Sequence, residues 1–270
     1  MKKSETSRLT IGAVIQRLTA PAGLLEQTVD KLLFGSPETE VTGIVTTFLA
    51  TEHVLEQAAA LEANLIITHE GIFYSHHERM ESQPEDPVVV SKRKWIEQSG
   101  IAVYRFHDHV HRYRPDVITD GLVRALDWNS YVEEHLPEAC IVMMPARTLR
   151  EIADDVKAKL GIRYVRVVGD PKAVCSRAGL LVGYRGGGTT AIPLFENRNL
   201  DLVIAGEGPE WETPEYVRDA VHQGRCKALM LLGHAESEEP GMRLVAEFLR
   251  EEFPDTPVRF IADKPLFQIL

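Results

Sequence analysis

Residues 41–69 read VTGIVTTFLATEHVLEQAAALEANLIITH and contain two candidate strands joined by a candidate helix. The β-branched residues of 41–50 favour a strand. Residues 52–63 are rich in alanine, leucine and glutamate, which favours a helix, and Thr51 is its candidate N-cap. The apolar run 64–69 then predicts a second strand. This order of elements is typical of a parallel sheet covered by helices.

The same alternation continues on both sides of this stretch. Residues 11–18 have helical spacing and precede it, with Thr10 as candidate N-cap. A helix is predicted over 88–98, ending at Gly100, and a strand over 101–106 follows. We therefore expect an α/β fold, in which binding sites form just beyond the carboxyl ends of the parallel strands.

The middle of the chain predicts a second α/β unit. Its candidate elements are a strand over 135–146, an amphipathic helix over 147–161 and a strand over 163–170. Towards the end of the sequence, a strand over 227–234 precedes a closing helix over 241–253. The fold class is thus two α/β units with mostly parallel sheets flanked by helices.

The expected domain division follows from these elements. Residues 1–128 together with about 200–270 are expected to form one α/β domain, and residues 129–199 a smaller one. The second unit is therefore inserted before the C-terminal part of the first domain.

Composition excludes several classes of function. The 270 residues carry a formal net charge of −10 and no cluster of Lys and Arg, which argues against direct binding of nucleic acid. No run of ~18 apolar residues occurs, so we expect no membrane span and a cytoplasmic location. The three cysteines form no CxxC pair and are expected to be small apolar fillers.

Metal-capable side chains follow three of the predicted strands. His69 and Glu70 follow the first, the HDHVH segment 107–111 follows the second, and His234 follows the third, with Glu238 four residues later. Neutral imidazole and carboxylate are ligands of borderline divalent metals. Because strand ends in one sheet share a crevice, we expect these groups to meet at a metal site. For each histidine taken alone, a solvated or hydrogen-bonded role is the alternative.

Other candidates are weaker. The glycine-rich segment 184–190 lacks the spacing of a phosphate-binding loop and is expected to be a turn. His76 and His77 lie in a polar segment, where a solvated loop is the first interpretation and a lid the second. No GxSxG elbow of a serine hydrolase occurs.

Taken in order, these clusters resemble those of the dinuclear metal centre hexameric proteins. This family is also known as NGG-interacting-factor-like and as the type 2 GTP cyclohydrolase I homologues. The resemblance is carried by residues 36–74, 101–126 and 201–249, whereas residues 129–199 match by pattern only.

The resemblance implies the metal ligands His69, Glu70, His107, His111, His234 and Glu238. Glu70 stands where the family has the second histidine of a tandem pair, and His111 stands where it has an aspartate. Within the 107–111 segment, Asp108 and His109 are alternative ligands. The family implies two divalent ions, of Zn, Fe or Mn, bridged by Glu238, with a mononuclear site as the variant.

The resemblance also implies a function. It is that of a metal-dependent hydrolase of the GTP cyclohydrolase type, acting on a small-molecule substrate such as a nucleotide. Glu207, in the family's Gly-Glu turn, and Glu236 are the candidate proton-transfer residues, and turn stabilisation is the alternative role of Glu207. A ring-shaped homohexamer is implied as well. The alternative function is a non-enzymatic metal carrier or a metal-dependent regulatory or interaction protein.

Overall fold

The structure is a computed structural model that describes residues 8–77 and 85–270. The helices are α1 (Ile11–Thr19), α2 (Glu52–Ala60), α3 (Pro87–Ser99), α4 (Asp108–His111), α5 (Val117–Ala125), α6 (Leu149–Leu160), α7 (Gly188–Asn197), α8 (Thr213–His222) and α9 (His234–Glu252). The strands are β1 (Lys31–Phe34), β2 (Ile44–Thr47), β3 (Leu65–Thr68), β4 (Ala102–Arg105), β5 (Val132–His135), β6 (Cys140–Thr148), β7 (Arg166–Val168), β8 (Val174–Leu181), β9 (Leu202–Ala205), β10 (Ala228–Leu231) and β11 (Val258–Phe260).

The chain divides into two compact units. The first comprises residues 1–113 and 242–270, and the second comprises residues 114–241. Residues 114–128 and 200–241 thus lie in the second unit, whereas the sequence placed them with the first. For residues 200–241 the physical reason is strand pairing, since β9 pairs with β8 and β10 pairs with β9 in the sheet of the second unit.

The sheet of the first unit has the order β1-β4-β3-β2-β11. Its strands pair in parallel except for β1, which is antiparallel to β4. All residues of β2, β3 and β4 are buried, as expected when helices cover both faces of a parallel sheet. The core joins Val45, Ile66 and Val103 of the strands to Leu55 of α2 and Ile96 of α3.

The predicted helix ends in this unit have the expected chemistry. The side chains of Thr10 and Thr51 accept hydrogen bonds from the backbone N–H of Ala13 and Val54, so both threonines are N-caps. Gly100 ends α3 in the left-handed region, with φ +70°.

The sheet of the second unit has the order β5-β6-β8-β9-β10-β7. Its inner strands β8, β9 and β10 pair in parallel, and the outer strands are antiparallel. Val203 and Leu229 of the sheet form a core with Phe195 of α7 and Val217 of α8.

The predicted fold class is confirmed: two α/β units with largely parallel sheets flanked by helices. Two element boundaries are corrected. The single strand expected over 135–146 is a hairpin, because β5 ends at His135 and β6 begins at Cys140. The closing helix begins at His234 instead of Gly241, so His234 and Glu238 lie one turn apart on α9. Within the described ranges, no helix is long and apolar enough to cross a membrane.

Candidate metal centre

β3 and β4 end side by side in the first unit, with Thr68 paired to Arg105. His69 follows β3 and is fully buried. Its Nδ1 lies 3.1 Å from the carbonyl oxygen of Phe106, the residue that follows β4. A carbonyl can only accept, so Nδ1 carries the hydrogen and Nε2 of the neutral ring carries the lone pair.

His107 is held in the same way by its neighbour. Its Nδ1 lies 3.0 Å from Oδ1 of Asp108, whose Oδ2 accepts a hydrogen bond of 2.8 Å from the N–H of Val29. The hydrogen bond from His107 holds the pKa of Asp108 well below its usual range, and the Val29 bond acts in the same direction. Asp108 is therefore an anionic acceptor that fixes the orientation of the His107 ring through Nδ1.

The short helix α4 is fixed by Asp30, which the sequence analysis did not identify. The Asp30 carboxylate accepts hydrogen bonds from the backbone N–H groups of His107, Asp108 and His109, at 2.7, 2.8 and 3.0 Å. It also lies 2.8 Å from Nδ1 of His109. Asp108 and His109, the alternative ligands of this segment, thus have contacts that fix α4 in place.

Three imidazoles converge in the first unit. The ligand atoms of His69, His107 and His111 lie within 4.8 Å of one another. The ring centroids are 4.6 Å apart for His69 and His107, and the centroid of His111 is 5.1 Å from each of them. These three side chains, with Glu70, are called the first cluster below.

Glu70 and His76 lie beside the imidazoles. Oε1 of Glu70 is 3.5 Å from Nε2 of His107, and the rings of His76 and His107 have centroids 5.0 Å apart. Glu70, His76 and His107 form a second group with metal-ligand spacing. His76 was expected to be solvated, and its side chain is 47% exposed. Burial lowers the pKa of His76, and the charges of His107 and Arg105 lower it further.

The second unit holds a cluster of its own, formed by Glu207, His234 and Glu238. Nε2 of His234 lies 3.1 Å from Oε2 of Glu238, which is buried. Nδ1 of His234 lies 2.8 Å from Oε1 of Glu207. That hydrogen bond lowers the pKa of Glu207. The imidazole therefore lies between two carboxylates.

The backbone around this second cluster requires small residues. Gly183 has φ +61°, and a Cβ there would run into Oε1 of Glu238 and lie 3.1 Å from Nε2 of His234. Ser237 Oγ accepts from the N–H of Gly183 at 2.9 Å and donates to the carbonyl of His234 at 2.8 Å. The segment 184–190, expected as a turn, forms a 3-10 helix over Gly183–Gly186 and the start of α7.

The two candidate proton-transfer residues differ in their surroundings. Glu207 contacts His234 directly, and its side chain is 44% exposed. Glu236 lies in the first turn of α9, and its carboxylate packs against the backbone of Gly233. A carboxylate in the first turn of a helix is also stabilised by the helix dipole.

The donors present fit a divalent ion. His69, His107 and His234 each have Nδ1 within hydrogen-bond distance of an oxygen acceptor, which fixes the orientation of each ring. Metal-bound histidines are held in this way by an oxygen on the other ring nitrogen. Imidazole and carboxylate donors suit Zn, Fe or Mn. A His/Glu group of this protein could therefore hold a metal ion.

Comparison with known proteins supports the resemblance inferred from the sequence. The family model described as Duf34/NIF3 (NGG1p interacting factor 3) matches residues 14–265. A relative from Clostridium perfringens, named GTP cyclohydrolase 1 type 2 homolog, is 25% identical over 241 residues, covering 86% of this chain and 87% of its own. A relative of the same name from Clostridium acetobutylicum is 25% identical over 228 residues, covering 81% and 80%.

Solved structures share the fold. A Bacillus cereus protein related to NIF3 superposes with a TM-score of 0.75 at 15% identity, covering 97% of this chain and 99% of its own. A hypothetical protein from Staphylococcus aureus gives a TM-score of 0.74 at 17% identity, covering 97% and 100%. Since the family model spans nearly all of the sequence, the chain belongs to the Duf34/NIF3 (NGG1p interacting factor 3) family.

Proposed function

We propose that this protein is a divalent-metal-dependent hydrolase acting on a small-molecule substrate, with GTP as the first compound to assay. The observation that carries the proposal is the convergence of three imidazoles, His69, His107 and His111, within ligand distance of one another. The relatives named GTP cyclohydrolase 1 type 2 homolog direct the choice of substrate.

The proposed ligands are His69, Glu70, His107 and His111 of the first cluster and His234 and Glu238 of the second. The proposed complement is two divalent ions, of Zn, Fe or Mn. A bound divalent ion supplies Lewis-acid chemistry and lowers the pKa of water to near neutrality.

The protein's own groups orient these ligands and move protons. The Phe106 carbonyl, Asp108 and Glu207 hold the imidazoles through Nδ1, so no reorientation is needed when the metal binds. We assign proton transfer to Glu207 and Glu236. Because Oε1 of Glu207 is bonded to His234, its transfer role falls to Oε2.

The proposal is tested by turnover of GTP. Protein stripped of metal and reloaded with Zn²⁺, Mn²⁺ or, without oxygen, Fe²⁺ is incubated with GTP, and ring-opened nucleotide and formate are separated by chromatography. His107→Ala and His234→Ala are expected to reduce turnover to background. His222→Ala is the matched control, since His222 is exposed at the end of α8.

Two outcomes separate the candidate functions. If wild-type protein carrying stoichiometric metal turns over no nucleotide or phosphoester above the His107→Ala background, the hydrolase proposal fails. Metal uptake without turnover then favours the carrier function. The homohexamer also stays a prediction, and light scattering tests it, since the expected mass is six times the 30.3 kDa of one chain.

A further inference from the structure

Arg105 places a buried positive charge beside the first cluster. It is the last residue of β4, and its side chain is 1% exposed. Its Nη2 donates a hydrogen bond of 3.0 Å to Oε2 of Glu70. A buried charge is tolerated only when it is paired and hydrogen-bonded, and Glu70 provides the opposite charge.

The other donors of Arg105 hold the backbone around Glu70. Nε donates to the carbonyl of His69 at 3.5 Å, and Nη1 donates to the carbonyl of His76. Nη2 also lies 3.2 Å from Nδ1 of His76. A guanidinium has no acceptor, so Nδ1 of His76 accepts and its hydrogen lies on Nε2. Arg105 thereby ties the end of β3 to residue 76.

The pairing directs the other Glu70 oxygen, Oε1, towards His107. Oε2 is bonded to Arg105, while Oε1 lies 3.5 Å from Nε2 of His107. The bond between Nδ1 of the same ring and Asp108 holds Nε2 in this position. Two ligand atoms that share one tetrahedral zinc ion at ordinary bond lengths lie roughly 3.4 Å apart. The separation of Oε1 and Nε2 therefore suits a shared cation.

We propose that Arg105 is a positioning residue that makes Glu70 a metal ligand through Oε1 alone. The Glu70 carboxylate brings a negative charge into a largely buried position. Arg105 neutralises this charge and fixes the orientation of the carboxylate. The inference rests on the proposed metal site of the proposed function, but not on turnover.

Because Arg105 and Glu70 pair, the effect of replacing Arg105 on Zn²⁺ affinity should depend on which residue occupies position 70. In the native Glu70 background, Arg105→Met removes the group that orients the carboxylate, so Zn²⁺ affinity should fall about 10-fold or more. In a Glu70→His background, the same change removes a buried cation that no longer has an anionic partner. There, Zn²⁺ affinity should rise about 10-fold.

The experiment is a double-mutant cycle on the full chain. Zn²⁺ affinity is measured by competition with a chromophoric chelator for wild type, Glu70→His, Arg105→Met and the double variant. Arg17→Met is the matched control. Arg17 is also an arginine paired with a glutamate, but its partner is Glu252, at 2.6 and 2.7 Å, instead of a residue of the first cluster. Opposite signs of the Arg105→Met effect in the two backgrounds support the inference. A loss in both backgrounds, or a gain in both, overturns it.

A second variant keeps the inference testable if Arg105→Met does not fold. Glu70→Gln retains an acceptor for Arg105 but is a poor metal ligand. It should weaken Zn²⁺ binding about 10- to 100-fold and change the visible absorption bands of the Co²⁺-loaded protein. An unchanged Co²⁺ spectrum overturns the role of Glu70 as a ligand.

The two proposals fail in different ways. If Arg105→Met changes Zn²⁺ affinity with opposite signs in the two backgrounds but no GTP is turned over, the hydrolase proposal fails and the role of Arg105 stands. If GTP is turned over but Arg105→Met changes Zn²⁺ affinity in the same direction in both backgrounds, the role of Arg105 fails and the hydrolase proposal stands. If wild-type protein takes up none of Zn²⁺, Mn²⁺ and Fe²⁺, both proposals fall.

Discussion

The carbonyl oxygen of Phe106 lies 3.1 Å from Nδ1 of His69. The residue that follows β4 thus fixes the tautomer of the histidine that follows the neighbouring strand β3. Asp108 and Glu207 hold the rings of His107 and His234 through Nδ1. A backbone carbonyl cannot be removed by substitution, but the two carboxylates can. The importance of orientation is therefore testable at Glu207.

Replacement of Glu207 by alanine should weaken Zn²⁺ binding about 10- to 100-fold, because His234 loses the acceptor that orients its ring. The change is measured by chelator competition. Glu215→Ala is the control, since the side chains of Glu215 and Glu207 are 42% and 44% exposed. Equal affinities of the two variants would show that the hydrogen bond does not orient the ligand.

Asp30 is the second testable contact, because a single carboxylate accepts from three backbone N–H groups at the start of α4. Its side chain is 1% exposed. Asp30→Ala leaves these donors unsatisfied and should lower the free energy of unfolding by about 3 kcal/mol. Urea denaturation measures the loss.

Asp30→Asn separates charge from geometry. The asparagine keeps one oxygen for the N–H groups but loses the charge beside His109, so its loss of stability should lie between wild type and Asp30→Ala. A wild-type unfolding midpoint for Asp30→Ala would contradict the role of Asp30 in holding α4.

The positions of His69 and His107 could be predicted from the sequence because both depend on local patterns. An apolar run marks a buried strand, and parallel strands put their carboxyl ends at one edge. The caps Thr10 and Thr51 were predictable for a similar reason, since each acts on a helix that begins at the next residue. These features need no knowledge of distant contacts.

Asp30 and Arg105 were not predictable in this way. Asp30 acts on residues 77 to 79 positions away, and nothing in its own neighbourhood marks it as a helix cap. Arg105 interrupts an apolar strand pattern. From the sequence alone, it is interpreted as a polar residue near the end of a strand. Only the fold shows that its guanidinium turns inward to Glu70.

Lys92 makes stability depend on pH at the alkaline side. It is buried in the first unit, where Nζ donates to the carbonyl of Ile72 at 2.8 Å. Burial lowers its pKa from 10.5 to about 8. Below pH 8 the folded and unfolded states both carry the proton, so the folded state has the full cost of a buried charge. Between pH 8 and 10.5 the unfolded state binds more protons, so this residue's contribution to stability rises with pH.

The difference in unfolding free energy between wild type and Lys92→Met isolates this contribution. It should shift in favour of wild type by roughly 3 kcal/mol at most between pH 7.5 and 10.5. Urea denaturation across that range measures it, and Lys94→Met, on the same helix, is the control. A difference that stays constant with pH would contradict a lowered pKa.

Gly183 is the residue whose lack of a side chain admits Glu238 to the second cluster. Gly183 and Gly161 both have left-handed backbones, with φ +61° and +68°, but a Cβ on Gly161 meets nothing within 4 Å. Gly161→Ala should therefore cost only the conformational strain, about 1 kcal/mol. Gly183→Ala adds a clash with the Glu238 carboxylate, so we expect about 3 kcal/mol of lost stability and weaker Zn²⁺ binding. Urea denaturation and chelator competition measure both effects, and equal losses for the two variants would mean that Glu238 does not depend on this close approach.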